Sequence, residues 1–251
     1  MDWVLIGISF ALFVVAALYA SVGHGGASGY LAVLSLTTYG TFGSAWLKQH
    51  AWCLNLVVAS IAFWHFHRAG HHVPKLTFPF IVASIPLALV GGYLRVDGAF
   101  YDILLSICLV VAAWRLAVIR NEVFVVAGVP EWKVTTPIGG TIGLASGIIG
   151  VGGGIFLSPI LLLKKWATPK NAAATSALFI WVNSLAGLSG ATLSGQLELD
   201  LEVLFPFIIA VLVGGFVGSR FGAVLAPQSV VRKLLVIVLI IAAMKRVVEF
   251  I

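Results

Sequence analysis

The sequence has few charged residues and almost no cysteine. Of its 251 residues, 10% are charged and 61% are hydrophobic, and the mean hydropathy is +1.09. A soluble domain has a far more polar composition. The two cysteines, Cys53 and Cys108, both fall in apolar segments, so neither a disulfide framework nor a multi-thiolate metal site is indicated. The composition therefore predicts a protein that crosses the membrane several times.

Other common patterns are also missing. No segment alternates apolar and polar residues as a membrane-spanning strand does, so helices must carry the backbone across the bilayer. Residues 1–3 contain no Lys or Arg, and we therefore expect Val4–Ala20 to be a retained helix rather than a cleaved signal. The net charge of +6 comes from residues in short loops, where membrane topology explains it, so no nucleic-acid partner is expected.

Two glycine-rich stretches, Ser21–Gly29 and Gly147–Gly154, interrupt the apolar sequence. A single shift pairs Gly23 with Gly150, Gly25 with Gly152 and Gly26 with Gly153. Neither stretch has the Gly-Lys-Ser/Thr ending of a phosphate-binding loop or the strand context of a dinucleotide-binding motif, so no cofactor is predicted. Broken backbone inside an apolar segment is costly, because lipid cannot satisfy the freed N–H and C=O groups. Such a break is tolerated where it lines a site.

The apolar segments divide the chain into two similar halves, residues 1–125 and 134–251. In order they are Val4–Ala20, Tyr30–Leu36, His50–Trp64, Leu76–Leu94, Ile103–Ile119, Pro137–Ile149, Ile155–Leu163, Ala172–Thr192, Val203–Val224 and Val230–Val248. The segments beside the second glycine run, and the one after the first, are shorter than the roughly 20 residues of a full span. We therefore predict an all-α membrane protein in which each half has a broken or re-entrant helical hairpin followed by three transmembrane helices.

Loop charge predicts that the two halves are inverted. The loops at residues 65–75 and 164–170 are basic, whereas the loop at residues 198–202 is acidic. If Lys and Arg mark the cytoplasmic side, the two halves cross the membrane with opposite polarity. Lys48, Lys245 and Arg246 do not fit, because this topology places them outside. Inverted repeats with interrupted helices are typical of secondary transporters.

Short sequence matches between the halves support the repeat. Phe78–Ile81 recurs as Phe205–Ile208, and Leu89–Tyr93 recurs as Leu212–Phe216. For the Gly-Gly pairs in the second match, close helix packing is the alternative to a functional role. For the two longer glycine runs, we favour a cradle of backbone N–H groups that binds an anion near the positive ends of the following helices. Close packing remains the alternative there as well.

Gly147–Pro159, followed by Ala174–Leu178, resembles the repeated signature of the sulfite exporter TauE/SafE family, also called the sulfonate/sulfite permease family. The resemblance extends over nearly the whole chain and is closest in the second half. It implies a carrier of small sulfur-containing anions, such as sulfite or organosulfonates, in the bacterial inner membrane. The first half departs from the signature, because His24 stands between glycines and Trp52–Asn55 replaces an expected Ala-Thr-Ser.

We expect the anion to lie between the two glycine runs, and His24 to couple transport to protons. A histidine at membrane depth is a functional candidate that titrates near neutral pH, although a neutral, hydrogen-bonded imidazole is the alternative. Polar residues on neighbouring helices offer further donors or act as interhelical connections. The predicted binding residues are Gly23, His24, Gly25, Gly26, Ser28, Asn55, Gly150, Gly152, Gly153, Gly154, Thr175, Ser176 and Asn183.

The sequence thus predicts a proton-coupled exporter of a sulfur-containing anion, with the lipid bilayer and that anion as partners. A passive small-anion channel is the alternative, and an intramembrane enzyme using His24 and Ser28 is a weaker one, since no further acid or base is evident. We predict no metal site, because the histidines of residues 65–72 lack accompanying acidic or cysteine ligands; metal binding there is the minor alternative. Whether Cys53 has a role, and whether the protein is a homodimer, stay open.

Overall fold

The computed structural model describes residues 3–94, 96, 128–227, 229–230 and 233–234, and the regular elements in these ranges are all helical. The eight α-helices are α1 (Trp3–Ala20), α2 (Ala27–Ser35), α3 (Ser44–Arg68), α4 (Pro74–Tyr93), α5 (Trp132–Ile149), α6 (Gly154–Leu163), α7 (Pro169–Leu193) and α8 (Leu201–Arg220). A 3₁₀ turn (Thr38–Thr41) precedes α3, and a π-helical turn (Phe221–Leu225) follows α8. The predicted segment Ile103–Ile119 and most of Val230–Val248 lie outside the described residues, as do Cys108 and Arg95.

Four of the described helices are long and apolar enough to cross a membrane. They are α1, α4, α7 and α8 with its π-helical turn. Large apolar side chains such as Phe10, Phe78 and Phe205 point outward, with exposed fractions of 66%, 52% and 66%. Outward apolar surface on this scale is stable in lipid but not in water. The chain is therefore a multi-pass membrane protein, as its composition predicts.

Both glycine runs break a helix where the sequence predicts an interruption. Helix α1 ends at Ala20 and α2 begins at Ala27, while α5 ends at Ile149 and α6 begins at Gly154. The residue before each short helix has a left-handed backbone, with φ of 99° at Gly26 and 82° at Gly153. Only glycine adopts this conformation without strain. The two runs therefore redirect the chain in the same way.

Two predicted helix starts are wrong. Helix α3 begins at Ser44, before the apolar segment that starts at His50, because the polar residues Lys48 and Gln49 are buried within the helix. Helix α5 begins at Trp132 rather than Pro137, so it has 18 residues and is not a half-length segment. Pro137 lies only one and a half turns into α5, where the carbonyl that loses its helical donor belongs to the exposed start of the helix.

Helices α3 and α7 contact each other in the centre of the fold, and each is flanked by a glycine-mediated helix pair. In one pair, α5 packs on α4; in the other, α8 packs on α1. Every fourth residue of α5 is a glycine whose Cα faces a carbonyl of α4: Gly139 faces Phe80, Gly143 faces Ser84 and Gly147 faces Ala88. The α8–α1 pair repeats this arrangement as far as the first break. Gly214 faces Phe13, Gly218 faces Ala17, and Gly222, in the π-helical turn after α8, faces Ser21.

These contacts assign the Gly-Gly pairs to close packing rather than to a functional role. A Cβ atom at Gly91 or Gly92 would overlap backbone atoms of Leu144 or Gly187, and one at Gly214 would overlap the Phe13 carbonyl. Small residues spaced one turn apart allow membrane helices to approach this closely, and van der Waals contact between the backbones then stabilises the pair.

We predict that Gly218→Ala destabilises the protein. Its new Cβ would overlap the Ala17 carbonyl, so α1 and α8 would have to separate, at a cost of about 1–3 kcal/mol. Gly7→Ala in exposed α1 is the matched control, because a Cβ there meets nothing within 4 Å and alanine favours the helix by up to about 1 kcal/mol. Thermal unfolding of both variants in detergent measures the difference. Equal unfolding temperatures would contradict the packing role.

Candidate functional site

The two glycine runs meet at the side chain of Asn55, which projects from the middle of α3. Asn55 is fully buried; its Oδ1 accepts a hydrogen bond from the Ala27 N–H at 3.0 Å, and its Nδ2 donates to Ser184 Oγ at 3.2 Å. A Cβ at Gly25 would overlap Asn55 Oδ1, and a Cβ at Gly152 would lie 2.7 Å from Asn55 Nδ2. One amide thus touches both runs and satisfies the first N–H of α2.

His24 extends from the first glycine run to the short helix that follows the second. Its ring is 2% exposed, and Nε2 lies 3.3 Å from the Ser158 hydroxyl of α6. Ser158 Oγ also lies 2.7 Å from Ser176 Oγ on α7. A Cβ at Gly154 would be 3.3 Å from His24 Cδ2. The predicted site residues His24, Gly154 and Ser176 are therefore brought together, with Ser158 between them.

Several buried polar atoms around the two breaks have no hydrogen-bond partner within the described part of the chain. They are His24 Nδ1, Tyr30 Oη, Ser146 Oγ, Trp52 Nε1 and both amide atoms of Asn183. Tyr30 Oη lies 2.6 Å from the Cβ position of Gly26, and Ser146 Cβ lies 3.4 Å from that of Gly153. Each unsatisfied buried donor costs about 1–3 kcal/mol. Their placement beside both runs marks this region as a polar site inside an apolar fold.

The remaining predicted residues have other surroundings. Thr175 Oγ1 lies 3.1 Å from Thr77 Oγ1 and connects α7 to α4. Ser28 Oγ lies 3.0 Å from the Tyr19 hydroxyl. Asn183 is fully buried one turn beyond Phe179, whose ring lies 2.8 Å from the Cβ position of Gly153. Thr175 and Ser28 thus each have a side-chain partner, whereas the Asn183 amide has none in the part of the chain that the structure describes.

The enzyme alternative is wrong. It required His24 and Ser28 to share a helix face, but α2 begins at Ala27, after the histidine. The Ser28 hydroxyl contacts Tyr19, and His24 contacts Ser158 of the other half. A serine nucleophile needs a base within hydrogen-bonding distance, and Ser28 has none here.

Sequence reasoning missed four residues of this region: Tyr30, Ser146, Ser158 and Lys48. Lys48 is 5% exposed, and its Cγ lies 2.7 Å from the Cβ position of Gly150. A lysine buried beside a helix break is a candidate functional group. The sequence did give one sign of its role, because Lys48 does not fit the topology that loop charge predicts. Ser158 lies within the Gly147–Pro159 signature itself, so that motif could have found it.

The histidine-rich end of α3 and its following loop connect helices. His65 Nδ1 lies 2.8 Å from Ser219 Oγ, and His71 Nε2 donates to the Ala223 carbonyl at 3.2 Å. Burial lowers the pKa of His71, and the charge of Lys170 acts in the same direction. In the ranges that the structure covers, no three His, Cys, Asp or Glu side chains gather as a metal site would require. His65 and His71 therefore connect α3 and its following loop to the end of α8 and the turn after it.

Comparison with known proteins gives the family. The model of the sulfite exporter TauE/SafE family matches residues 8–246 of the chain. The chain belongs to the TauE/SafE family. It is 34% identical over 250 residues to the "Probable membrane transporter protein y4hK" of Sinorhizobium fredii, with 98% of this chain and 99% of that protein covered. No solved structure matches the chain.

More distant TauE/SafE relatives come from other lineages. The "Probable membrane transporter protein YunE" of Bacillus subtilis is 23% identical over 182 residues, which cover 64% of each chain. "Sulfite exporter TauE/SafE family protein 5" of Arabidopsis thaliana is 33% identical over 88 residues, or 35% of this chain and 18% of that protein. The protein is accordingly a membrane transporter and not an enzyme.

We predict that Asn55→Ala destabilises this TauE/SafE protein by about 1–3 kcal/mol, because it leaves the Ala27 N–H buried without an acceptor. Ser189→Ala on α7 is the control, since it removes an exposed hydroxyl that donates to the Leu185 carbonyl and should change the free energy of unfolding by no more than about 0.5 kcal/mol. Chemical unfolding in detergent compares the two. If Asn55→Ala costs no more than Ser189→Ala, the capping of α2 by Asn55 contributes nothing.

Proposed function

We propose that this protein is a secondary transporter that exports a small sulfur-containing anion, sulfite or an organosulfonate, across the bacterial inner membrane, with transport coupled to the proton gradient. The anion is held near the membrane midplane between the two glycine runs. The family description supports sulfite as the reference substrate. The relative with the longest match is named only as a membrane transporter, so the choice among sulfur anions rests on the site's chemistry.

The observation that carries this proposal is the gathering of unpaired buried donors at both breaks. Tyr30 Oη lies beside Gly26 of the first run, and the Ser146 side chain lies beside Gly153 of the second. The His24 ring, whose Nδ1 is unpaired within the described residues, lies beside Gly154 at the start of α6. A sulfur oxyanion offers only acceptors, so hydroxyl, imidazole and backbone N–H groups match its needs. The starts of α2 and α6 add the positive ends of two helix dipoles. Neutral donors bind an anion without holding it too tightly for release.

His24 is proposed as the proton-coupling group. The Ser158 hydroxyl can donate to a neutral imidazole at Nε2, which leaves Nδ1 as the group that faces the ligand. A protonated imidazole would instead donate through both nitrogens and add a positive charge to the site. Gain of a proton would thus strengthen anion binding, and loss of the proton would favour release. Lys48, buried against Gly150, provides a second cationic group on the opposite run.

We further propose that residues 1–125 and 134–251 are inverted repeats. The packing supports this, since α1 pairs with α8 as α5 pairs with α4, while α3 and α7 meet in the centre. Exchange of the two halves leaves this pattern of contacts unchanged. Alternating access would then come from movement of one repeat relative to the other around a site shared by both.

Binding of candidate anions to the purified protein tests the substrate. Sulfite, sulfate, thiosulfate, sulfoacetate and taurine are compared by thermal unfolding, with chloride and nitrate as controls. A ligand that binds only the folded state at about 100 times its Kd raises the free energy of unfolding by about 2.7 kcal/mol. We expect sulfite or a sulfonate to stabilise the protein selectively. Selective stabilisation by chloride or nitrate would instead favour the passive channel.

Replacement of His24 tests the coupling. We predict that His24→Ala weakens anion binding about 10- to 100-fold, the loss of one charge-assisted hydrogen bond, while the folded yield changes little. His67→Ala, which alters an exposed histidine at the end of α3, is the control. In proteoliposomes the parent should accumulate anion in response to a pH gradient and His24→Ala should not. Gradient-independent flux through the parent would contradict coupled transport.

A further inference from the structure

A pocket with two arginines lies between the end of α3 and the end of α8. Its volume is about 280 Å³. The pocket is lined by Trp64, His65, Arg68, Ala69, Phe216, Arg220 and Val224. None of these residues belongs to the site proposed for the transported anion, and none of them is acidic.

The pocket has an arginine from each helix. Arg68 and Arg220 are both exposed, and within residues 3–94 and 128–227 neither guanidinium makes an ion pair. The Arg68 guanidinium lies 5.4 Å from the centre of the Trp64 ring, a cation–π contact that holds it at the pocket. The planar fork of a guanidinium matches the paired oxygens of a phosphate group. Two such groups facing one cavity favour a bound phosphate-type anion.

Hydrogen bonds hold the two walls of the pocket together. His65 Nδ1 lies 2.8 Å from Ser219 Oγ, and Ser219 donates its own hydrogen to the Gly215 carbonyl at 2.5 Å. Ser219 Oγ therefore accepts from His65 Nδ1–H across the α3–α8 contact. The His65 ring also packs edge-on to Phe216, with centroids 4.9 Å apart. Arg68 and Arg220 thus project from a pair of helices whose separation is fixed.

The surroundings of the pocket are those of the membrane surface. Trp64, Phe216 and Val224 have exposed fractions of 49%, 43% and 59%. In a membrane protein such side chains contact lipid, and a tryptophan is typical of the headgroup level. The basic loop that follows α3 lies on the side that loop charge predicts to be cytoplasmic. Anionic phospholipids are concentrated in the cytoplasmic leaflet, and basic pockets between transmembrane helices bind their headgroups.

We propose that this pocket binds the phosphodiester of an anionic phospholipid, with Arg68 and Arg220 on the phosphate and the acyl chains against Trp64 and Phe216. The exposed apolar side chains favour a lipid over a free oxyanion, because they place the pocket beside the acyl chains of a lipid whose headgroup could reach both arginines. A bound lipid would connect α3, which carries Asn55, to α8 and so stabilise the central helices.

The test uses the full-length protein in detergent micelles doped with phosphatidylglycerol or phosphatidylcholine, and in micelles with inorganic phosphate or sulfite alone. We expect phosphatidylglycerol to raise the unfolding temperature selectively. The R68Q/R220Q double variant should bind it about 30-fold more weakly, and each single variant about fivefold more weakly. K75Q/K164Q, which removes two exposed lysines outside the pocket, should bind like the parent.

Unfolding in phosphatidylcholine micelles verifies that each variant is folded, and the single variants carry the test if the double variant is not. Unchanged phosphatidylglycerol affinity in the arginine variants would overturn the proposal. An equal loss in K75Q/K164Q would do so as well, because it would assign the effect to general surface charge. Stabilisation by phosphate or sulfite alone that disappears in R68Q/R220Q would identify a free-anion site instead of a lipid site.

Discussion

A helix that breaks inside a membrane must find new partners for the backbone groups it frees, and this requirement organises the structure. Asn55 meets part of it by accepting from the first N–H of α2 while its amide lies against the second run. For this contact to form, both glycine runs must lie within the length of one asparagine side chain from the backbone of α3. The central position of α3, its contact with α7 and the absence of side chains at the neighbouring glycines all serve that approach.

The same requirement favours the anion site that we propose at this place. The Ala27 N–H is already bonded to Asn55, but the following N–H groups of α2 and the first ones of α6 lack helical acceptors, so they are available to an anion. The chain surrounds them with neutral donors, such as Tyr30 and Ser146, rather than with carboxylates that would pair with the same donors. A carrier needs moderate affinity, because a ligand bound too tightly is not released. Neutral donors with one titratable imidazole, His24, provide that range.

The sequence predicts the broken helices and many of the site's components, because three or more clustered glycines within an apolar segment interrupt a membrane helix. It does not predict which side chains meet across the halves. The His24–Ser158 contact joins residues 134 positions apart, and the burial of Lys48 against Gly150 depends on how α3 packs. The start of α3 is misjudged for a related reason: Lys48 and Gln49 are polar by composition but buried by tertiary structure. Local sequence patterns indicate which face of a helix is apolar, whereas these contacts depend on which helices pack against it.

The glycine-to-carbonyl contacts between α4 and α5, and between α1 and α8, have a mechanical consequence. At these positions a glycine of one helix lies directly against the backbone of the other, so the glycine's own helix has no side chain that projects into its partner there. Shear displacement along such a surface meets less side-chain resistance than the ridges and grooves of an ordinary interface. The α4–α5 contacts extend to Gly147, beside the second break, and the contacts of α1 extend through Gly222 to Ser21, at the first break. The surfaces that favour shear therefore lead to the site proposed for the anion.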